Sequence, residues 1–139
     1  MTISRLSTVS KELDGTINKV ASSKRMSISL AIAAWAVDQT GLSHPVLPND
    51  ISSAQPNLVQ SLVEELDEAY FTLQESAEAG TASEEEVTAA FSLARAANAV
   101  EFALQGDLSE TAYEAVIATD DLPGLQHLVE RLLLQNPSG

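Results

Sequence analysis

SEEEVTAAFSLARAANAVEFALQG, Ser83 to Gly106, is the stretch that decides the class of fold. Ser83 stands three residues before Glu86, the spacing of a capping box, in which the serine hydroxyl accepts the Glu86 N–H and the Glu86 carboxylate reaches back to the serine N–H. Glu84, Glu85 and Glu86 lie at the positive end of the helix dipole, where carboxylates are favoured. Val87, Phe91, Ala94 and Phe102 form the apolar surface, and Gly106 supplies the stop. Two polar side chains interrupt that surface: Asn98 and Glu101, about 60° apart on the helical wheel. They read as a buried polar pair that fixes register, with an exposed helix edge and a small ligand pocket as the alternatives.

The same period runs outward in both directions. From Pro56 to about Ala79, Leu58, Leu62, Leu66, Ala69, Tyr70, Leu73 and Ala77 share one face, and Gly80 ends the helix. A first helix is expected over about residues 3–22, with Ile3, Leu6, Val9, Leu13, Ile17 and Val20 in one stripe weakened by Gly15. A second, about 26–39, carries Ile28, Leu30, Ile32, Trp35 and Val37, is apolar nearly all round as a surrounded helix should be, and stops at Gly41. Pro45, Pro48 and Pro56 mark an ordered crossover loop after it. Two shorter helices close the chain: about 109–119, with Ala112, Tyr113, Val116 and Ile117 inward, and about 123–135, with Leu125, Leu128, Val129, Leu132 and Leu133 inward and Asp121 and Pro123 at its start. No stretch shows sustained period-2 alternation, so the expectation is an all-α compact bundle of about six helices without a sheet, helices two and four central.

Length and composition agree. The chain has 139 residues, which suits one globular domain. Its 45% apolar content includes only 4% aromatic residues, so the core is built from Leu, Val, Ile and Ala. There is no cysteine, which rules out disulfides, thiolate metal sites and a cysteine nucleophile and fits a cytoplasmic location. Lys24-Arg25 before MSISLAIAAWAV imitates a signal peptide, with Ala34-Trp35-Ala36 as a small-x-small site. The long periodic stretch before it and the shortness of the apolar run favour a buried helix.

The formal charge is -13, and it is unevenly distributed. Residues 1–25 hold five of the seven bases against Glu12 and Asp14, a basic amphipathic arm of net +3; residues 26–139, the acidic helical body, keep Arg95 and Arg131 against 18 acids, net -16. Such a field repels nucleic acid and anionic lipid, so neither is an expected partner. On the third helix Glu64, Asp67, Glu68, Glu75 and Glu78 fall within about 100° of one another, away from the apolar face. None has a Lys or Arg at i+3 or i+4, and the i, i+4 pair Glu64–Glu68 repels. A stripe of this kind either keeps a protein soluble and monomeric or docks a basic partner.

Catalytic chemistry is thinly represented. His44 precedes Pro45 in the loop, His127 lies on the polar side of the last helix, and neither has the Glu three residues earlier that a di-iron bundle requires. Phosphate-binding, dinucleotide-binding, nucleophile-elbow, metalloprotease and EF-hand patterns are missing. The function expected is that of a small acidic, non-enzymatic binding protein of the inhibitor or immunity type. It would engage a basic protein partner through Glu64, Asp67, Glu68, Glu75 and Glu78, as a monomer or homodimer with no cofactor and no metal. Two alternatives stand beside it: a structural or adaptor protein that dimerises or docks through its first helix, and an enzyme or small-ligand binder with a pocket near Asn98 and Glu101.

Overall fold

The computed structural model describes residues 4–135. It has six α-helices, α1 (Lys11–Asn18), α2 (Ser22–Thr40), α3 (Pro56–Glu78), α4 (Glu84–Leu104), α5 (Leu108–Thr119) and α6 (Leu122–Gln135), with 3-10 turns at Leu6–Thr8 and Ile51–Ser53. No strand occurs among the described residues, so the chain is an all-α bundle. The capping box at Ser83 is formed: Ser83 Oγ accepts from the Glu86 N–H at 3.1 Å and Glu86 Oε1 from the Ser83 N–H at 3.3 Å. Gly41 closes α2 at φ 74°, a left-handed conformation that a residue with a Cβ adopts only under strain.

The N-terminal segment departs from the single helix expected over 3–22. Ser10 is extended, at φ -156° and ψ 112°, and its hydroxyl accepts from the Leu13 N–H. A serine that bonds the backbone ahead of it starts a new helix instead of continuing an old one. The chain therefore runs 3-10 turn, cap, α1, and then enters α2 four residues earlier than the apolar run suggested. Arg25 ties the two helices together: its guanidinium donates to the Ile17 carbonyl at 3.0 Å, which also accepts from the Val20 N–H at 3.1 Å. Despite the break the stripe is covered within the chain: Leu6 and Ile17 are fully buried, Leu13 and Val20 nearly so, and Val9 half-buried. Ile3 lies outside the described residues.

α2, α4 and α5 pack on one another and carry the core. The central position expected of helices two and four extends to α5, which also meets α1, α6 and the first 3-10 turn. The seams are lined by alanine: Ala33 and Ala36 on α2, Ala96, Ala97, Ala99 and Ala103 on α4, Ala112, Ala115 and Ala118 on α5 are all buried. Short side chains bring the helix axes close. On α5, Ala112 and Val116 are buried as expected, but Thr111, Glu114 and Ala115 are buried with them while Tyr113 and Ile117 are only half-buried.

α2 is not buried all round. Ile28, Ile32, Ala33 and Ala36 face the core, Met26 is 45% exposed, and Trp35 is half-buried against the cluster's edge. Trp35→Ala is accordingly expected to cost roughly 2 kcal/mol in a urea melt, below the 3–5 kcal/mol typical of a fully buried indole. The intact protein should show tryptophan emission between the buried and water-exposed limits.

α3 packs on α4 and has no comparable contact with another helix. Its buried residues, Val59, Leu62 and Val63, all belong to its first third, and those of α4 begin only at Ala94. Leu58 and Ala69, expected on the inner face, are exposed. Between Val63 and Ala94 no residue is buried, so the far ends of α3 and α4 and the turn joining them form a two-helix hairpin that extends past the core. Among the described residues no helix is long and apolar enough to cross a membrane.

Candidate functional site

Two charged regions stand out, one internal and one external. The internal one is centred on Glu114 of α5, whose side chain is 1% exposed. Glu114 accepts from Arg95 of α4 at 3.0 Å and from Arg5 of the N-terminal segment at 3.1 Å. Arg95 reaches on to Asp67 of α3 at 3.2 Å, and Arg5 donates through Nε to Glu110 at 2.9 Å while its guanidinium carbon lies 4.3 Å from the centre of the Tyr113 ring. Five charged side chains from four segments thus meet in one network. Burial pushes the Glu114 carboxyl above its ordinary range, the guanidiniums of Arg95 and Arg5 pull it back only in part, and Glu110 adds to the rise.

The network corrects one expectation. Asp67 does not share the outward direction of the acidic stripe: it is half-buried and spent on Arg95. The helical wheel saw no base at i+3 or i+4, which is true, but the partner comes from the next helix, 28 residues on. Glu114 carried no signal of its own in the sequence; only the structure shows it on the buried face with Thr111 and Ala118. Arg95 did carry a signal: it is one of only two bases after residue 25, and it stands among alanines.

The external region is the hairpin. From Glu64 to Leu93 the chain holds nine carboxylates and no Lys or Arg. Glu64, Glu68, Glu75 and Glu78 are exposed, as the wheel placed them. Among them stands Phe71, 59% exposed, its ring 5.3 Å from that of Tyr70, which in turn lies 5.3 Å from Phe91 of α4. Sequence reading did not single out Phe71. Its position at about 100° per residue falls inside the acidic arc, and that was legible.

Asn98 and Glu101 do not form a polar pair. The Asn98 amide donates to the Ala94 carbonyl of its own helix at 3.0 Å, and among the described residues no hydrogen bond joins it to Glu101. Glu101 instead borders a shallow open cleft with Pro56, Asn57, Gln60, Leu104 and Gln105. Both side chains are half-buried. His44 accepts from the Val46 N–H through Nδ1 at 3.2 Å, closing its own turn, and its Nε2 lies 3.7 Å from Glu65. His127 is exposed. Among the described residues no three His, Asp or Glu side chains converge as a metal site. No protein-family model matches the chain, and neither a curated protein nor a solved structure does.

Proposed function

We propose that this chain is a small binding protein of the inhibitor or immunity type, which captures a basic protein on the outer face of the α3–α4 hairpin. The observation that carries the reading is the run from Glu64 to Leu93: thirty residues without one buried side chain, bearing nine carboxylates and no base. A hairpin that adds little to the core and concentrates one sign of charge offers long-range attraction to a cationic surface and repels competitors of its own sign. The working residues are Glu64, Glu68, Glu75 and Glu78; Asp67 supports the hairpin from inside through Arg95. The adaptor reading would have to open a contact already closed within the chain, because Leu6, Leu13 and Ile17 belong to its own core. Asn98, bonded to its own helix, adds nothing to a pocket.

The test is charge reversal on the four exposed positions. Glu64→Lys, Glu68→Lys, Glu75→Lys and Glu78→Lys together should abolish capture of a basic protein from a lysate of the native host at low ionic strength. The helical circular dichroism should be unchanged, since none of the four is buried. Wild-type capture should fall steeply as salt is raised. Capture that survives the reversal, or recovery of no basic protein at all, removes the reading.

A further inference from the structure

We infer that the outer face of α3 is built for an arginine of the partner, its guanidinium laid on the Phe71 ring and its N–H groups donated to Glu68 and Glu75. This deepens the proposed function and rests on it. A lone exposed apolar side chain is ordinary on a protein surface and by itself says nothing. Phe71 is different in what surrounds it. Glu68 precedes it by three residues and Glu75 follows it by four, so both carboxylates border the ring on the same strip of helix, and both are exposed.

Half of this arrangement, a carboxylate three residues before an aromatic ring, recurs on α5, and there it is filled. On α5, Glu110 precedes Tyr113 by three residues, and Arg5, more than a hundred residues away in sequence, lies across the pair: Nε is 2.9 Å from Glu110 and the guanidinium carbon is 4.3 Å from the ring centre. Arg95 repeats the chemistry more loosely, 5.8 Å from the Phe91 ring while bonded to Asp67 and Glu114. Among the described residues, the two guanidiniums seen to bind carboxylates, Arg5 and Arg95, both also lie over a ring. The strip at Glu68–Phe71 has the spacing of the occupied copy, faces solvent, and belongs to α3, which packs chiefly on α4.

A guanidinium is what this strip selects. Its flat, weakly hydrated face stacks on a ring while its edge still donates to carboxylates; an ammonium is a compact, strongly hydrated charge that is drawn to the ring but cannot stack on it, and is found there less often. Stacking at an exposed ring is worth a two- to five-fold gain in affinity. The partner is therefore arginine-rich, not merely basic.

The full chain, isotopically labelled, is to be titrated at low salt with two probes, nona-arginine and nona-lysine, following the amides of residues 64–78 and the Phe71 ring protons by nuclear magnetic resonance. Nona-arginine should bind two- to five-fold tighter, with the largest shifts at Glu68, Phe71 and Glu75. Phe71→Leu, which keeps an apolar side chain without a ring, should equalise the two peptides by weakening nona-arginine more than nona-lysine; Phe71→Tyr should preserve the preference. Glu68→Gln with Glu75→Gln should weaken both peptides. Equal affinities in the wild type, with shifts on this face, overturn the arginine site and leave the acidic docking face standing. Shifts confined to Glu84–Glu86, or absent from residues 64–78, overturn both.

Discussion

Glu114→Leu is expected to cost about 3 kcal/mol of folding stability, whereas Glu114→Leu combined with Arg95→Met should cost much less than the single change. The reason lies in the balance at the network's centre. Burial raises the Glu114 carboxyl by more than two guanidiniums lower it, so its charged form is less favourable in the fold than in the unfolded chain. Removing the acid alone leaves Arg95 three-quarters buried with Asp67 as its remaining partner, and an arginine cannot shed its charge. Its Nε is already buried without a hydrogen-bond partner among the described residues. Arg95→Met alone should be milder than Glu114→Leu, because Glu114 can take up a proton and become neutral. Replacing both charges by apolar side chains of similar size removes the desolvation cost along with the attraction. Chemical denaturation of the four proteins closes a double-mutant cycle, and additive costs would show that the two residues do not act as a pair.

The same imbalance fixes the direction of a pH effect. A carboxyl whose folded pKa is raised holds its proton in the native state at pH values where the unfolded chain has lost it, so stability falls as pH rises from the unfolded value near 4.3 through the raised one. Acidifying from neutrality through that window should therefore stabilise the protein. Relief of self-repulsion among 20 acids and 7 bases acts the same way, so the measurement must separate the two. Glu114→Gln does this: it leaves the overall repulsion nearly unchanged and removes one titration. The stability of wild type relative to Glu114→Gln should grow as pH is lowered through the window. A flat difference would mean that Glu114 titrates as an ordinary surface acid.

What sequence could and could not reveal follows from the range of the interactions involved. The capping box at Ser83 and the stop at Gly41 are set by residues within four positions of one another, and the acidic arc on α3 by the period of a single helix; each was legible. The break at Ser10 was also local, yet the apolar stripe runs straight through it and hid the cap. The network was not legible, because Arg5 and Glu114 are 109 residues apart and Arg95 and Asp67 are 28 apart; only packing brings them together. The face of α5 belongs to the same class: Glu114 is buried and Tyr113 half-buried because the partners of Glu114, Arg5 and Arg95, come from distant segments.

Deleting residues 1–22 should abolish cooperative folding. The segment places Leu6, Leu13 and Ile17 in the core at 2% exposure or less, and each such side chain contributes about 2–5 kcal/mol when truncated to Ala. Their sum is comparable to the whole stability of a domain of this size, about 5–15 kcal/mol. An isolated eight-residue helix such as α1 has no stability of its own, so its order comes entirely from the surface of α5 and its neighbours, and that surface in turn is exposed when the arm is removed. The charges add less. Arg5 is about half exposed, so its pairs with Glu110 and Glu114 are screened, and Arg5→Gln should lower stability by no more than about 1 kcal/mol, with an effect that fades in salt. The apolar contact should not fade: Leu6→Ala and Ile17→Ala should each lose about 3 kcal/mol at low and high ionic strength alike. These two substitutions keep the test decisive if the truncated chain aggregates. Thermal melts that leave Leu6→Ala and Ile17→Ala at the wild-type midpoint, or light scattering that shows the intact arm bridging two copies, would place the stripe outside the chain's own core and return it to the role of a docking helix.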